Sequence, residues 1–122
     1  MVTGKEVQVR GMSLYWSLLS KATDFWSEAA ISTMVKDMKI QIIRAAMATG
    51  TEDWGEYKGY ALDPNTQKAF MKTVVEAAIK QDIYVIIDWH SHEATNQTSA
   101  SKAFFSEMAK EYGSYDNVIF EI

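Results

Sequence analysis

The stretch Ile83-Tyr84-Val85-Ile86-Ile87-Asp88-Trp89-His90-Ser91-His92 decides the fold of this chain. It begins as a run of β-branched and aromatic residues, which is typical of a strand buried on both faces. It ends in titratable and aromatic side chains, and in parallel α/β folds the carboxyl ends of strands are where functional sites are built. The stretch therefore predicts a buried parallel strand that delivers Asp88, His90 and His92 to a site.

Three further strands and three helices are predicted around this strand. The other strands lie at 7–12, 42–47 and 117–122. A first helix starts at the N-cap Asp24 with an apolar stripe. A second starts at Asp63-Pro64 and has a wide apolar face, and a third runs from Ser99 to Tyr112, where Gly113 is a natural C-terminal cap. The apolar stripe of the first helix comprises Trp26, Ala30, Met34 and Met38. The order β-α-β-α-β-α-β predicts one α/β domain with a parallel sheet.

Composition excludes several classes of function. The 122 residues are enough for one ordinary domain. The formal net charge of −4 argues against nucleic acid, because there is no basic surplus to neutralise phosphates. The sequence has no cysteine, so disulfides and thiolate chemistry are excluded. No apolar run approaches the roughly 20 residues of a membrane span, and residues 1–6 lack the apolar core of a signal peptide.

Arg44 interrupts the second predicted strand, within Ile42-Ile43-Arg44-Ala45-Ala46-Met47. An unpaired charge inside a buried strand is very costly, so Arg44 needs an acidic partner from elsewhere in the fold. Two interpretations stay open. Arg44 forms a structural ion pair with a nearby acid, or it orients a carboxylate of an active site.

The segment from Thr49 to Tyr60 is a long loop with three glycines, three acids and three aromatics. Loops of this length in compact domains are often functional. Aromatic rings beside carboxylates suit carbohydrate, so Trp54 of this loop is a candidate substrate contact; the alternative is a mobile surface loop. Trp16, Trp54 and Trp89 follow predicted strands, where core packing needs them less than elsewhere.

A metal or phosphate site is disfavoured. His90 and His92 are two apart and project to the same face of an extended chain, but they are the only histidines and there is no cysteine. Neither a glycine-rich phosphate loop nor a Gly-x-Ser-x-Gly nucleophile motif occurs. We expect no metal and no cofactor.

Four segments together resemble glycoside hydrolase family 5 cellulases, the bacterial endo-β-1,4-glucanases. They are Val9-Arg10-Gly11-Met12-Ser13, Ile43-Arg44-Ala45-Ala46-Met47, the stretch from Asp82 to His90, and the stretch from Tyr112 to Ile122. The resemblance covers nearly the whole chain in the right order. It implies a (β/α)8 barrel of which residues 1–122 are the N-terminal half, about (βα)3β, ending before the fifth strand. It also implies a secreted enzyme that cleaves cellulose with retention, using two glutamates about 5–5.5 Å apart.

The resemblance assigns roles to residues of this chain. Arg44 resembles the arginine that pairs with the nucleophile, and His90 resembles a histidine lining the cleavage subsite. Tyr60 resembles a tyrosine near the sugar, and Trp16 resembles a stacking residue of the first loop. Many relatives carry a histidine where this chain has Tyr15, and Tyr15 is included among the candidate site residues.

Neither catalytic glutamate is expected within the chain. The family's acid/base follows the fourth strand in an Asn-Glu-Pro motif, whereas Glu121 lies inside that strand, and the nucleophile lies on the seventh strand. We therefore expect the 122-residue chain alone to be inactive, with Asp88 and His92 in supporting roles.

Four parallel strands cannot close a barrel, so the first and fourth strands should leave unpaired edges and exposed apolar area. We expect association with a complementary half-barrel or with another copy of the chain. The alternatives are a non-catalytic half-barrel that binds glucan or self-associates, and a flavodoxin-like domain, which the absence of a phosphate loop disfavours.

Overall fold

The structure, a computed structural model, describes residues 4–122 and contains one four-stranded parallel sheet. The strands are β1 (Gly11–Leu14), β2 (Ile42–Ala48), β3 (Tyr84–His90) and β4 (Val118–Glu121), paired in the order β1-β2-β3-β4. The helices are α1 (Ser20–Thr23), α2 (Glu28–Met38), α3 (Pro64–Lys80) and α4 (Thr98–Tyr112), with a 3-10 turn at Ala94–Gln97. The predicted βα order and parallel sheet are confirmed.

Alternate side chains of each strand point to opposite faces of the sheet, which separates the core from the other face. The face packed against the helices carries the buried apolar residues Ile43, Ala45, Met47, Val85, Ile87 and Trp89. The other face of the two central strands carries Arg44, Ala46, Asp88 and His90. Strand β3 thus places Trp89 in the core, and Asp88 and His90 on the opposite face.

Helix α3 is the element predicted best. Asp63 is its N-cap and accepts a hydrogen bond from the Thr66 N–H at 3.1 Å, and Pro64 occupies the first helical position. The predicted wide apolar face is buried at Met71, Val74, Val75 and Ala78. The N-cap followed by proline and the wide apolar face both predict a helix that starts here, so the sequence was sufficient to identify it.

The first strand was predicted too early. Val7 is 70% exposed, and β1 starts at Gly11, where its ladder with Ile42 begins. The Arg10 carbonyl accepts from the Gln41 N–H at 2.7 Å, but the ladder with β2 begins only at Gly11, so the alternation of Val7 to Arg10 does not produce a strand. A Cβ on Gly11 would lie 1.7 Å from the Ile42 carbonyl oxygen, so this approach of the two strands requires glycine.

The first helix was also placed wrongly. Ser27, not Asp24, caps α2, and its Oγ accepts from the Ala30 N–H at 3.3 Å. Asp24 instead ends the short helix α1. Trp26 precedes the helix and is buried, and its indole N–H donates to the Tyr15 carbonyl at 3.1 Å. Met38, the last residue of the predicted stripe, is 61% exposed.

Three smaller expectations need correction. Trp89 is fully buried rather than free of the core, and its indole donates to Gln97 Oε1 at 2.9 Å. The segment from His92 to Thr98, whose polar residues predict a loop, contains the 3-10 turn. Gly113 ends α4 with φ −66°, so it does not adopt the left-handed conformation of a glycine cap.

The two outer strands leave open edges, as expected. β1 and β4 each have one neighbour in the sheet. Large apolar side chains are exposed at both strands: Met12, Ile119 and Phe120. Among residues 4–122 no helix combines the length and apolar character needed to cross a bilayer.

Tyr112 at the end of α4 predicts a loss of stability at alkaline pH. Burial, together with the hydrogen bond from its hydroxyl to Glu76 Oε1 at 2.9 Å, raises the pKa of Tyr112 above its usual range. A phenol with a raised pKa stabilises the fold fully below about pH 10, and this contribution is lost as the pH rises above that value. We expect the free energy of unfolding to fall above pH 10, by at most about 1.4 kcal/mol per pH unit for one proton.

Tyr112→Phe removes this proton and should flatten that part of the curve, as measured by urea unfolding between pH 8 and 11. Tyr115→Phe, a change on an exposed side chain three residues away, is the control and should leave the slope as it is. An unchanged slope in Tyr112→Phe would contradict the assignment.

Candidate functional site

Arg44 is the centre of a polar cluster to which all four strands contribute. Its Nη2 lies 2.7 Å from Asp88 Oδ2 on β3, and its Nε donates to Glu121 Oε2 on β4 at 2.8 Å. Its Nη1 donates to Ser13 Oγ on β1 at 3.2 Å. The arginine is therefore held by a charge-assisted network across the open face of the sheet.

The register of the strands explains why these residues meet. Ser13 is opposite Arg44 in the β1–β2 ladder, and Asp88 is opposite Glu121 in the β3–β4 ladder. Arg44 and Asp88 share the open face two positions apart in register. A four-residue offset in any strand would separate them, so the cluster is a product of strand pairing.

The structural interpretation of Arg44 is confirmed, because both acidic partners come from this chain. Glu121 is 77 residues away in sequence, so the partner does come from elsewhere in the fold. Glu121, which sequence reasoning set aside as a strand residue, is one of the two. The alternation of side chains along each strand could have identified Glu121, because Glu121 and Asp88 both occupy open-face positions of adjacent strands. Whether Arg44 also pairs with a nucleophile stays a prediction.

Asp88 also holds the ring of His90, the last residue of β3. Its Oδ2 lies 3.0 Å from His90 Nδ1, while Arg44 Nη2 lies 3.3 Å from the same nitrogen. Both Arg44 and a protonated Nδ1 are donors, so only the carboxylate can accept from Nδ1–H. The shorter, charge-assisted contact favours the proton on Nδ1, which leaves the Nε2 lone pair as an acceptor.

Burial raises the pKa of Asp88 above its ordinary value, and the nearby charge of Glu121 acts in the same direction. The charges of Arg44 and His90 oppose this shift. Asp88 is almost fully buried, so its ionised form depends on these two neighbours. Asp88 is thus the structural link between Arg44 and His90.

The tautomer of His90 gives a direct test of this link. We expect Nδ1-protonated His90 in the wild type at neutral pH and above, and a shift toward the Nε2-protonated form in Asp88→Ala, because the acceptor is gone. Long-range proton–nitrogen NMR spectra of the imidazole rings distinguish the two forms. His92 is exposed and is the internal control, since its spectrum should not change. An Nε2-protonated His90 in the wild type would contradict the assignment.

Two cavities meet at Trp16 and His90. One, of about 650 Å³, is lined among others by Trp16, Glu52, His90 and His92. The other, of about 280 Å³, adds Tyr15 and Arg44. The Trp16 ring lies with its centroid 5.8 Å from that of Trp54 and 5.9 Å from that of His90. The carboxyl ends of the strands therefore carry a cleft with aromatic walls and a polar floor.

A buried polar network fixes this cleft, and sequence reasoning missed it. Ser17, next to Trp16, donates to the side chain of Gln67 on α3 and accepts from the Ala48 N–H at 2.9 Å. Gln67 Nε2 donates to the Lys58 carbonyl at 2.8 Å. Ser17 and Gln67 are fully buried. A glutamine on the apolar face of a helix is the signal that could have indicated such an anchor.

The long loop after β2 is tied to the fold rather than free. The Tyr60 N–H donates to the Ala48 carbonyl at 2.9 Å, and the Tyr57 N–H donates to the Leu18 carbonyl at 2.9 Å. Thr49 Oγ1 donates to the His90 carbonyl at 3.3 Å. These bonds argue against the alternative of a mobile surface segment, and the functional interpretation of the loop stays a prediction.

The remaining predicted site residues lie in two different environments. Tyr15 and Trp54 are exposed: Tyr15 lines the smaller cavity, whereas Trp54 lines neither cavity and packs against the Trp16 ring. Tyr60 lines neither cavity described above; its ring packs 5.0 Å from Trp89 and 5.7 Å from Phe104, between centroids. Burial raises the pKa of Tyr60. The role of Tyr60 near a sugar stays a prediction, and its ring contacts are those of a core residue.

Within residues 4–122 no three acidic, histidine or cysteine side chains are grouped so that they could hold a metal ion. His92 lies with its ring 5.9 Å from that of His90, and a third ligand is not assembled beside them. The cleft is thus built from aromatic and hydrogen-bonding groups, the combination that suits a sugar chain.

These features define a class: part of a parallel α/β barrel whose site lies at the carboxyl ends of the strands. The chain belongs to the cellulase family, glycosyl hydrolase family 5, whose model matches residues 2–122.

Similar proteins agree with this membership. Endoglucanase Z of Dickeya dadantii is 44% identical over 113 residues, which are 92% of this chain and 25% of that protein. A solved structure from Cytophaga hutchinsonii has 42% identity and a TM-score of 0.85, covering 98% of this chain and 36% of that one. The catalytic domain of Thermobifida fusca endoglucanase Cel5A in complex with cellotetraose has 28% identity and a TM-score of 0.80, covering 98% and 37%.

The chain spans about a quarter of the length of the curated relatives it matches and little more than a third of the solved structures. The four-stranded sheet described here is consistent with the N-terminal half of the barrel of these cellulases.

Proposed function

We propose that this chain forms the substrate-binding side of the cleft of a secreted endo-β-1,4-glucanase. The complete enzyme would hydrolyse β-1,4-glucosidic bonds of cellulose with retention, through two glutamates that lie outside these 122 residues. The observation that carries the proposal is the cleft in which the Trp16 ring lies beside both Trp54 and His90, while Asp88, the ion-pair partner of Arg44, holds the His90 ring.

Each side chain has a physical role in this proposal. Trp16 and Trp54 present rings on which the C–H faces of glucose units stack. His90 offers Nε2 to accept a hydrogen bond from a sugar hydroxyl, because Asp88 takes the proton on Nδ1. Arg44 has five N–H groups and uses three of them to donate to Asp88, Glu121 and Ser13, so the second N–H of Nη1 is left to donate to a carboxylate in the cleft.

The test is a hybrid in which the matching segment of Dickeya dadantii endoglucanase Z is replaced by this chain. We expect the hybrid to release reducing sugar from carboxymethylcellulose, and proton NMR of cellotetraose cleavage to show the β-anomer first. The 122-residue chain alone should release none. His90→Ala in the hybrid should lower kcat/KM about tenfold, since one hydrogen bond to substrate is lost.

Two results would count against the proposal. One is a hybrid that unfolds cooperatively, and is therefore folded, but does not cleave cellulose. The other is hydrolysis by the 122-residue chain, which would mean that catalytic carboxylates lie within it.

The second candidate is a half-barrel that associates through its edges without catalysis, either with a complementary half or with another copy. The open edges of β1 and β4, with Met12, Ile119 and Phe120 exposed, favour this candidate. Sedimentation of the purified chain tests it. A dimer or larger species at micromolar concentration supports association, and a monomer at that concentration argues against it.

A further inference from the structure

Two buried side-chain atoms among residues 4–122 lack a hydrogen-bond partner: Nε1 of Trp16 and Oε2 of Glu52. The first is a donor and the second is an acceptor. Both residues line the same cavity of about 650 Å³. Buried polar groups are almost always paired. A donor and an acceptor without partners on the wall of one cavity therefore indicate that the two are linked by hydrogen bonding.

The loop after β2 makes room for this carboxylate with two glycines. A Cβ on Gly59 would lie 2.2 Å from Glu52 Oε2, and a Cβ on Gly50 would lie 2.7 Å from Oε1. The Gly59 N–H also donates to the Glu52 carbonyl at 3.0 Å, which closes the loop around the side chain. The other acids of the loop, Asp53 and Glu56, are exposed. Glu52 is therefore the acid that the loop is shaped to hold.

The indole of Trp16 has few other restraints on its orientation. Its ring meets Trp54 at an interplanar angle of 57° and His90 at 81°, so neither neighbour stacks flat against it. A ring that serves as a platform for a sugar must be held in one plane, and a hydrogen bond at its N–H edge would do this.

We propose that Glu52 is a positioning residue for Trp16: one bridging water accepts the indole N–H and donates to the carboxylate of Glu52, which fixes the plane on which a glucose unit stacks. The role in sugar binding rests on the function proposed above, whereas the pairing of the two side chains does not.

The four tryptophan indole N–H signals of the ¹⁵N-labelled chain test the pairing, with Trp16→Phe identifying the signal of Trp16. In Glu52→Ala we expect that signal to move and its exchange with solvent to speed up about tenfold, the effect of losing one hydrogen bond. Glu52→Gln should retain most of the wild-type behaviour, because the amide oxygen can accept the same bond. Trp26 and Trp89 donate to Tyr15 and Gln97, so their signals should stay unchanged.

Asp53→Asn is the matched control, since it removes a neighbouring negative charge that is exposed on the same loop. A Trp16 signal that responds equally to Asp53→Asn and Glu52→Ala, or to neither, overturns the pairing. If Glu52→Ala does not fold, the wild type still decides: a nuclear Overhauser contact between the Trp16 indole proton and a slowly exchanging water supports the pairing, and its absence overturns it.

The role in sugar binding is tested in the hybrid enzyme with cellotetraose. Glu52→Ala should raise KM several-fold with kcat unchanged, because the platform binds the ground state and the transition state alike. An unchanged KM in an active hybrid overturns the role in positioning the platform. An inactive wild-type hybrid overturns the proposed function only, because the indole spectra do not depend on catalysis.

Discussion

Arg44→Met is expected to lower the free energy of unfolding by about 2–4 kcal/mol, less than the full cost of breaking a buried ion pair because the arginine is partly exposed. The methionine keeps much of the volume but leaves Asp88 buried without its guanidinium partner, and leaves Glu121 without its hydrogen bond. Urea unfolding followed by circular dichroism measures the loss.

The loss should depend on pH, with a sign that follows from Asp88. Arg44 is the largest influence that lowers the pKa of Asp88, so its removal raises that pKa further. A carboxyl with a raised pKa stabilises the fold fully below its unfolded value of about 3.9, and that contribution disappears as the pH rises. The difference between Arg44→Met and the wild type should therefore be smaller near pH 4 than at pH 7.

Two comparisons isolate the buried charge as the cause. Lys80→Met removes a cation from an ion pair with Glu28 in which both side chains are more than half exposed, and should cost less than about 1 kcal/mol. Arg44→Met combined with Asp88→Asn should regain part of the loss, because a neutral amide is cheaper to bury than an unpaired carboxylate. The explanation would be refuted if Arg44→Met lost no more stability than Lys80→Met. It would also be refuted if Arg44→Met combined with Asp88→Asn were no more stable than Arg44→Met alone.

Phe104→Ala is expected to cost about 3–5 kcal/mol, as large-to-small changes at fully buried aromatic positions do. Phe104 is fully buried on α4, with its ring centroid 5.4 Å from that of Trp89 and 5.7 Å from that of Tyr60. It joins the helix layer to the strand that ends in His90. The cavity left by alanine should also change the fluorescence of Trp89, whose indole bonds to Gln97.

Phe105→Ala is the matched control for this prediction. Phe105 is the next residue of the same helix but is only partly buried, so its loss should cost less than half as much. Equal losses for the two variants would mean that the helix as a whole, rather than the ring of Phe104, carries the stability. Phe104→Leu keeps more of the volume and should fall between Phe104→Ala and the wild type.

The sequence by itself determined the elements in which several local signals agree. The Asp63-Pro64 start and the wide apolar face predict α3, and the β-branched run from Ile83 predicts β3, because each pattern reports both propensity and burial. It failed where one signal stood alone: the alternation before Gly11 had no strand to pair with, and Asp24 competed with a better-placed Ser27 cap.

The same division applies to the site. The sequence predicted Arg44, His90, Trp16 and Trp54 as site residues, since a charge within a buried strand and aromatics after strands are visible locally, and the structure brings the four close together. It did not indicate that Glu121 and Ser13 hold Arg44, or that Gln67 anchors Ser17.

Those contacts join residues 31 to 77 positions apart. The register of four parallel strands and the packing of α3 bring them together, and no pattern within one segment encodes either distance or register. The strand from Ile83 to His90 was thus predictable from the sequence. Which of its side chains faces the core, which holds an arginine and which faces the cleft was decided only when its neighbours paired with it.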